Sequence, residues 1–321
     1  MQHEPDRPEA TIWTYGELIA VALIWGTGSV AIKIAVEGFP PLTAAGLRLA
    51  LASALYAPLL WLNRRTAPLP RRRDLPLLLW LAFTGYLFFN VLYFLALDRT
   101  TATHAVLVWG AQPIVTAVLA ALLIGERISR QAVAGVLIST AGVVLIVATS
   151  LSASTAHGAD LIGDLMLISM MVSWVFYTVA SRSAMQRFSP LATTGYACLL
   201  GFAMMLPVSL LGGFRPEQLV GVPMRSWLAV GFSGGVSVVI SYILWNRALL
   251  RLGPTRTAVF VNLSPVWGLL MSWSLEGETL TWFHALGAAL IVGGVLVANL
   301  GPRRSTKQRS QEGAVEQATA R

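Results

Sequence analysis

Apolar stretches of roughly twenty residues alternate with short polar breaks along nearly the whole chain. Ten can be counted, at about 16–36, 42–62, 76–97, 104–123, 132–149, 163–183, 191–211, 226–246, 256–275 and 283–300. A helix rising about 1.5 Å per residue crosses a hydrocarbon layer of about 30 Å in about that length, so each stretch predicts a transmembrane helix. The breaks carry turn formers, among them Gly38-Phe39-Pro40-Pro41, Ser189-Pro190 and Gly253-Pro254. Composition agrees with the pattern. The chain is 55% hydrophobic and 12% charged, with a mean hydropathy of +0.67. A soluble domain carries roughly twice that charge. An all-α polytopic membrane protein is expected.

The breakers also repeat. Pro113, Gly125-Glu126, Gly135 and Gly142 recur as Pro265, Gly277-Glu278, Gly287 and Gly294, each 152 residues on (265 − 113, 277 − 125, 287 − 135, 294 − 142). In the first two spans of each copy the offset is 149, as Pro58 and Pro207 show. The copies therefore comprise residues 16–149 and 163–300, five spans each. An odd number of spans inserts the second copy upside down, which gives ten transmembrane helices as two inverted five-helix repeats. In such proteins the substrate site lies where the copies meet. Residues 1–15 read as a cytoplasmic N-terminal segment, without the basic start or small-residue cleavage site of a signal peptide. Residues 301–321 read as a disordered cytoplasmic tail.

Charge sets the orientation. With the N-terminus inside, 18 of the 23 Lys and Arg residues fall on the cytoplasmic side, while Arg99, Arg215 and Arg225 fall outside. Lys33 and Arg48 lie within spans. The loop after the fourth span holds Arg127 and Arg130, and its equivalent after the ninth holds Glu276 and Glu278, the opposite bias that inverted halves require. Both termini are expected in the cytoplasm. The net charge of +8 then belongs to loops facing anionic lipid, and no nucleic-acid partner is implied.

At these residues the chain resembles the drug/metabolite transporter superfamily, specifically its ten-span EamA-type members. The first copy carries Trp25-Gly26, Lys33, Pro113, Gly125-Glu126-Arg127, Gly135 and Gly142. The second carries Trp174, Arg182, Pro265, Gly277-Glu278, Gly287 and Gly293-Gly294, and it departs from the first at Val175 and Thr279. The resemblance implies a bacterial inner-membrane location and a central cavity walled by spans 1, 3, 4, 6, 8 and 9, with spans 5 and 10 peripheral. It does not name the substrate, because the superfamily moves amino acids, sugars, purines and drugs.

Hydrocarbon penalises unsatisfied polar groups, so polar residues sharing one helix face point to a cavity or to another helix. Tyr86, Asn90 and Tyr93 share a face of the third span, Trp109, Gln112 and Thr116 of the fourth, Trp174, Tyr177 and Ser181 of the sixth, and Ser233, Ser237 and Ser241 of the eighth. Trp25, Tyr242, Asn262 and Ser264, the repeat partner of Gln112, complete the candidate substrate-binding set. Pro113 and Pro265 each remove a helix donor, from the carbonyls of Trp109 and Val261, and read as paired hinges beside the site. Lys33 is a possible charged contact, although Lys33 and Arg48 can both snorkel to the outer interface. Ala285, Ala289 and Gly293 read as a close-packing face of the last span. The expected ligands are neutral or zwitterionic; strongly anionic ones fit poorly for want of positive charge at mid-membrane.

No Asp or Glu lies in the middle of a span, so transport down the substrate gradient is expected, most simply export of amino acids or related compounds. Uptake of sugars, purines or osmolytes is the alternative, and His104 is the one candidate proton switch. Glu126 and Glu278 read as loop anchors. A reading from another class rests on Gly231-Phe232-Ser233-Gly234, the form seen in rhomboid intramembrane proteases, with His284 as the base for Ser233. His284 opens its span, however, and Gly287 is already accounted for by the repeat. No enzymatic activity is expected. Four histidines and the single Cys198 offer no metal set, and no cofactor is expected. The partners are a small-molecule substrate and the bilayer, and a monomer can enclose the site.

Overall fold

Two helical halves wrap around each other, each beginning with a long span and a Pro-started second span. The computed structural model describes residues 11–65, 67–99, 102–126, 128–153, 161–267, 270 and 282–300. Arg127, Gly277-Glu278, Thr279, the 301–321 tail and the His104 side chain lie outside the described residues. Spans 1 and 2 are α1 (Ile12–Gly38) and α2 (Pro41–Leu62). Span 3 comprises α3 (Leu75–Ala82), a π-helical stretch Phe83–Phe88, and α4 (Phe89–Arg99). Spans 4 and 5 are α5 (Ala102–Ile124) and α6 (Arg130–Ala153). The second half follows with α7 (Leu161–Ala184) and α8 (Pro190–Leu211). Span 8 is α9 (Met224–Gly231), a π-helical stretch Phe232–Ile240, and α10 (Ser241–Leu252). Span 9 opens with α11 (Pro254–Ala258), tightens into a 3-10 turn Val259–Leu263, and is described to residue 267 with the isolated residue 270. Span 10 is α12 (Trp282–Leu300).

Seven of the described helices have the length and hydropathy of a membrane span, and the apolar parts of α5 and α6, Val108–Ile124 and Arg130–Ile146, are shorter. Their outward faces are apolar: Leu122, Val144, Leu206, Leu228 and Leu296 are all exposed. Such a surface belongs against lipid, where helices satisfy every backbone group internally.

The halves interlock antiparallel. α1 packs along α9 and α10, and α7 packs in the equivalent way along α3, its π stretch and α4. Ion pairs tie both ends of the first pairing. Glu37 meets Arg225 at 3.4 Å at one end, and Glu17 meets Arg247 at 2.9 Å and Arg251 at 3.5 Å at the other.

Two further seams join each span to its own repeat partner, α2 to α8 and α6 to α12. In the second seam Gly135, Ser139, Gly142 and Ile146 face Gly287, Ile291, Gly294 and Ala298. A Cβ on Gly135 would overlap the Gly294 carbonyl oxygen, and one on Gly142 would lie 2.6 Å from that of Gly287. Backbones touch here because four repeated glycines leave no side chain between them. The expectation that Ala285, Ala289 and Gly293 form this face is corrected: Ala285 and Ala289 are exposed, and a Cβ on Gly293 would meet nothing. The packing stripe lies on the opposite side of α12, where Ile291 sits between Gly287 and Gly294 and Ala298 follows them.

The π-helical stretches were not legible in the sequence. They start at equivalent positions, 149 residues apart (232 − 83). Each holds a glycine pressed against another span: a Cβ on Gly85 would overlap the Tyr177 ring, and one on Gly234 would lie 2.7 Å from the Arg48 carbonyl oxygen. Widening a turn shifts the helical register and frees carbonyls for outside donors. The Thr84 carbonyl accepts from Ser173 Oγ at 2.7 Å, and the Ser233 carbonyl from Arg48 Nε at 3.3 Å.

The two prolines do not behave alike. Pro113 lies inside a continuous α5, and Thr140 Oγ1 donates to the nearby Gly110 carbonyl at 3.1 Å. Pro265 follows the 3-10 turn, in which the Ser264 N–H donates to Val261 O. The Val261 carbonyl, expected to lose its donor to Pro265, gains one from one residue earlier.

Candidate functional site

The interlocked spans bring aromatic residues from both halves to one place. Trp25 of α1 and Trp174 of α7, equivalent in the repeat, meet edge to face with ring centroids 5.2 Å apart. Trp174 also stacks on Tyr177 at 4.9 Å and meets Tyr242 of α10 at 5.0 Å and Phe89 of α4 at 5.4 Å. Trp245 closes on Trp25 at 5.0 Å, Trp109 of α5 approaches Trp174 at 6.5 Å, and Tyr86 meets Tyr242 at 5.3 Å. Of the sequence-predicted residues, the structure thus gathers Trp25, Tyr86, Trp109, Trp174, Tyr177 and Tyr242 into one cluster. Phe89 and Trp245 were missed. Trp245 lies three residues beyond Tyr242 on the same helix face, the one signal that pointed to it.

Polar atoms inside the cluster divide into satisfied and unsatisfied ones. Trp25 Nε1 donates to Ser241 Oγ at 2.7 Å. Asn246 Nδ2, another residue the sequence reading passed over, donates to Tyr177 Oη at 2.9 Å and to the Tyr242 carbonyl at 3.0 Å. The Trp174 and Trp245 indole N–H groups have no partner among the described residues, nor do Ser237 Oγ and Asn246 Oδ1. All four groups are buried. A buried donor without an acceptor is costly, by about 1–3 kcal/mol each, so a ligand or water with acceptor atoms is favoured there.

Beside the cluster lies an unforeseen charge. Arg48 is 4% exposed, and Arg48 and Asp74 are the charged side chains buried among the described residues. Arg48 Nη1 donates to Asn90 Oδ1 at 3.1 Å, its Nε donates to the Ser233 carbonyl, and its guanidinium lies 5.8 Å from the centre of the Phe94 ring. Asn90 Nδ2 in turn donates to the Tyr86 carbonyl at 2.6 Å. Snorkelling of Arg48 to the outer interface is therefore corrected. The side chain turns inward because the π-helical Ser233 carbonyl and the Asn90 amide offer acceptors there. The supposed want of positive charge inside the protein falls with it.

The remaining predicted residues lie elsewhere. Lys33 is exposed and its Nζ donates to the Leu97 carbonyl in the last turn of α4 at 3.0 Å, where a cation favours the helix C-terminus. Gln112 is fully buried and folded onto its own helix, with Nε2 donating to Thr116 Oγ1 at 3.0 Å and Oε1 unpartnered. Ser264 Oγ donates to the Ala22 carbonyl of α1 at 3.1 Å. Asn262 turns away from the aromatic cluster, its Nδ2 donating to Ser139 Oγ at 2.9 Å on α6. Glu126 accepts from Thr255 Oγ1 at 2.9 Å and so holds the start of span 9.

Ser233 and His284 sit on spans that pack against different neighbours. Ser233 Oγ donates to the Val230 carbonyl at 3.2 Å within its own helix, in a stretch packed on α2. His284 lies on α12, which packs on α6 and on the 3-10 turn of span 9. No group of three or more metal-ligating side chains occurs among the described residues.

Two oppositely inserted five-helix halves, interlocked around a buried aromatic junction with unsatisfied donors, define a membrane transporter of the inverted-repeat kind. The chain belongs to the EamA-like transporter family, whose model matches residues 13–148 and again residues 161–300. It is 28% identical over 300 residues to the uncharacterized transporter YyaM of Bacillus subtilis (strain 168), covering 92% of this chain and 97% of that one. A probable amino-acid metabolite efflux pump of Salmonella typhimurium (strain LT2) is 27% identical, covering 89% and 94%. A similarly named protein of Escherichia coli (strain K12) is 26% identical over the same shares. A protein of known crystal structure, 26% identical, superposes with a TM-score of 0.71 over 90% of this chain and 98% of its own.

Proposed function

We propose that this transporter moves small neutral or zwitterionic metabolites of the amino-acid class by alternating access at the aromatic junction. Trp174 carries the reading. It is 1% exposed, surrounded by aromatic rings from both halves, and its indole N–H has no acceptor among the described residues. Rings supply apolar contact for a side chain, and unsatisfied donors supply contacts for a polar backbone. The relatives named as amino-acid metabolite efflux pumps support the same class. Export down the substrate gradient across a bacterial inner membrane, with both termini cytoplasmic, completes the reading. Alternating access places the junction between the halves, each approached from its own side.

The test is flux from proteoliposomes loaded with a panel of amino acids, sugars and nucleobases. Saturable efflux of amino acids that Trp174→Ala abolishes supports the reading. Efflux of sugars or nucleobases with amino acids retained overturns it in favour of a different substrate class.

A further inference from the structure

Arg48 is a buried cation with no counter-charge among the described residues. No carboxylate lies within ion-pair distance of it among the described residues; the ion pairs there involve Arg187, Arg225, Arg247 and Arg251. Depth makes the matter acute. Arg48 lies seven residues into α2, Asn90 nine residues before the end of α4, and Ser233 nine residues after the start of α9. At about 1.5 Å per residue these positions are roughly 10–14 Å below the outer ends of their spans, near the middle of a hydrocarbon core of about 30 Å. Charged side chains there face the interior, find partners, and mark substrate paths.

A structural duty does not account for the charge. Arg48 Nε serves the Ser233 carbonyl freed by the second π stretch. The equivalent carbonyl in the first half, Thr84 O, is served by the neutral hydroxyl of Ser173 at 2.7 Å. A π stretch of this kind therefore needs a donor and not a cation. The repeat sharpens the contrast, since the positions equivalent to Arg48 and Asn90 are Ala197 and Val239 (48 + 149, 90 + 149). The pair belongs to one half alone, as expected of a group that recognises one end of an asymmetric ligand.

The guanidinium also has donors to spare. Of its five N–H groups, Nε and one on Nη1 have acceptors, which leaves one on Nη1 and both on Nη2. A guanidinium holds its N–H groups in a planar fork, the geometry that matches a carboxylate. Tyr86, Tyr93 and Tyr242 lie within electrostatic reach of Arg48, and Tyr86 and Tyr242 are part of the aromatic junction.

We propose that Arg48, held in place by Asn90, binds the carboxylate of the substrate while the Trp174 cluster receives the rest of the molecule. This rests on the reading as an amino-acid carrier and narrows it to ligands bearing a carboxylate. Asn90 acts as a positioning residue, since its Oδ1 fixes the guanidinium and its Nδ2 is tied to the Tyr86 carbonyl.

The experiment compares L-leucine, L-phenylalanine and L-serine with their amides. Binding to detergent-purified protein is read by intrinsic tryptophan fluorescence, and flux is read in proteoliposomes. Wild-type protein is expected to prefer at least one acid over its amide by about 10- to 100-fold, the range for a hydrogen bond to a charged group. Arg48→Gln is expected to erase that preference through loss of acid binding with amide binding kept, and Arg48→Lys to restore part of it. Asn90→Leu is expected to raise KM for the acid more than it lowers kcat. Equal binding and flux of acids and amides by wild type overturns the proposal and leaves the amino-acid reading standing. Arg48-dependent binding of carboxylates without amino-acid flux leaves the Arg48 site standing and removes that reading. Should Arg48→Gln fail to fold, the wild-type preference decides, together with protection of Arg48 from phenylglyoxal by the acid and not by the amide. Loss of acid and amide binding together in a folded Arg48→Gln overturns the proposal in favour of a packing role.

Discussion

Trp25 and Trp174 occupy the same place in the two repeats and touch each other, yet their indole N–H groups differ in circumstance. Trp25 Nε1 donates to Ser241 Oγ, whereas the residue equivalent to Ser241 in the first half is Leu92 (241 − 149), and Trp174 Nε1 has no partner among the described residues. One tryptophan is anchored and the other is available. A single serine-to-leucine difference between the halves makes a symmetric pair of rings into an asymmetric site.

The two tryptophans are therefore expected to respond differently to the same substitution. Trp25→Phe removes a satisfied hydrogen bond between α1 and α10 and should lower stability by about 0.5–1.5 kcal/mol. Trp174→Phe removes an unsatisfied donor, so stability should hold while substrate affinity falls roughly two- to tenfold, the same energy expressed in binding. Thermal unfolding in detergent alongside substrate titration checks both. A stability loss confined to Trp174→Phe would reverse the assignment.

The seam between α6 and α12 makes a second expectation. Gly142→Leu places a side chain where the Gly287 carbonyl and Ile291 stand, and should abolish folded, monodisperse protein. Ala289→Leu lies on an exposed face of the same pair of helices and should change yield and melting temperature little. Size-exclusion chromatography of the two variants settles the matter, and a well-folded Gly142→Leu would show the backbone contact to be absent.

Orientation is open to a simple labelling test. Under the proposed topology Arg71→Cys faces the cytoplasm and Arg215→Cys faces outward. The resident Cys198 is fully buried and should stay silent. An impermeant maleimide added to intact cells should label position 215 and spare position 71. Labelling at 71 in sealed cells would invert the arrangement.

Energy coupling gives the fourth. Among the described residues the buried charges within reach of the junction amount to one cation, Arg48, and no carboxylate. Flux down a fixed substrate gradient should persist after protonophore collapses the proton gradient. Strict loss of flux would require a proton-carrying group other than the buried charges among the described residues.

Much of the fold was legible because the signals were long or repeated. Twenty-residue apolar stretches specify spans, and a constant offset of breakers specifies duplication, whatever the side-chain detail. The aromatic half of the candidate site was legible too, since Trp174 with Tyr177 and Tyr86 with Asn90 and Tyr93 are spaced to share helix faces. Arg48 was misplaced for a definite reason. Its sequence position near the outer third of α2 fits a side chain reaching up as well as one reaching in. The choice between them is made by acceptors 42 and 185 residues away, Asn90 and Ser233. Asn262, two residues before Ser264, was read as cavity-facing for its polarity, but the helix tightens there to a 3-10 turn. That tightening rotates Asn262 onto Ser139.

The glycine seam of α6 and α12 is its own mirror. Gly135 meets Gly294 and Ala298, while their equivalents, Gly287 with Gly142 and Ile146, meet in the same way. Each helix thus carries both the knob and the socket, and half of the gene encodes the whole contact. Two copies of such a half, inserted in opposite senses, already fit along this line before any linker joins them. Fusion adds something the contact itself does not need: freedom for the halves to become unlike. Arg48 and Asn90 in one half against Ala197 and Val239 in the other, and Ser241 against Leu92, are differences that two identical subunits cannot hold. The seam keeps the halves together while the residues between them are free to differ.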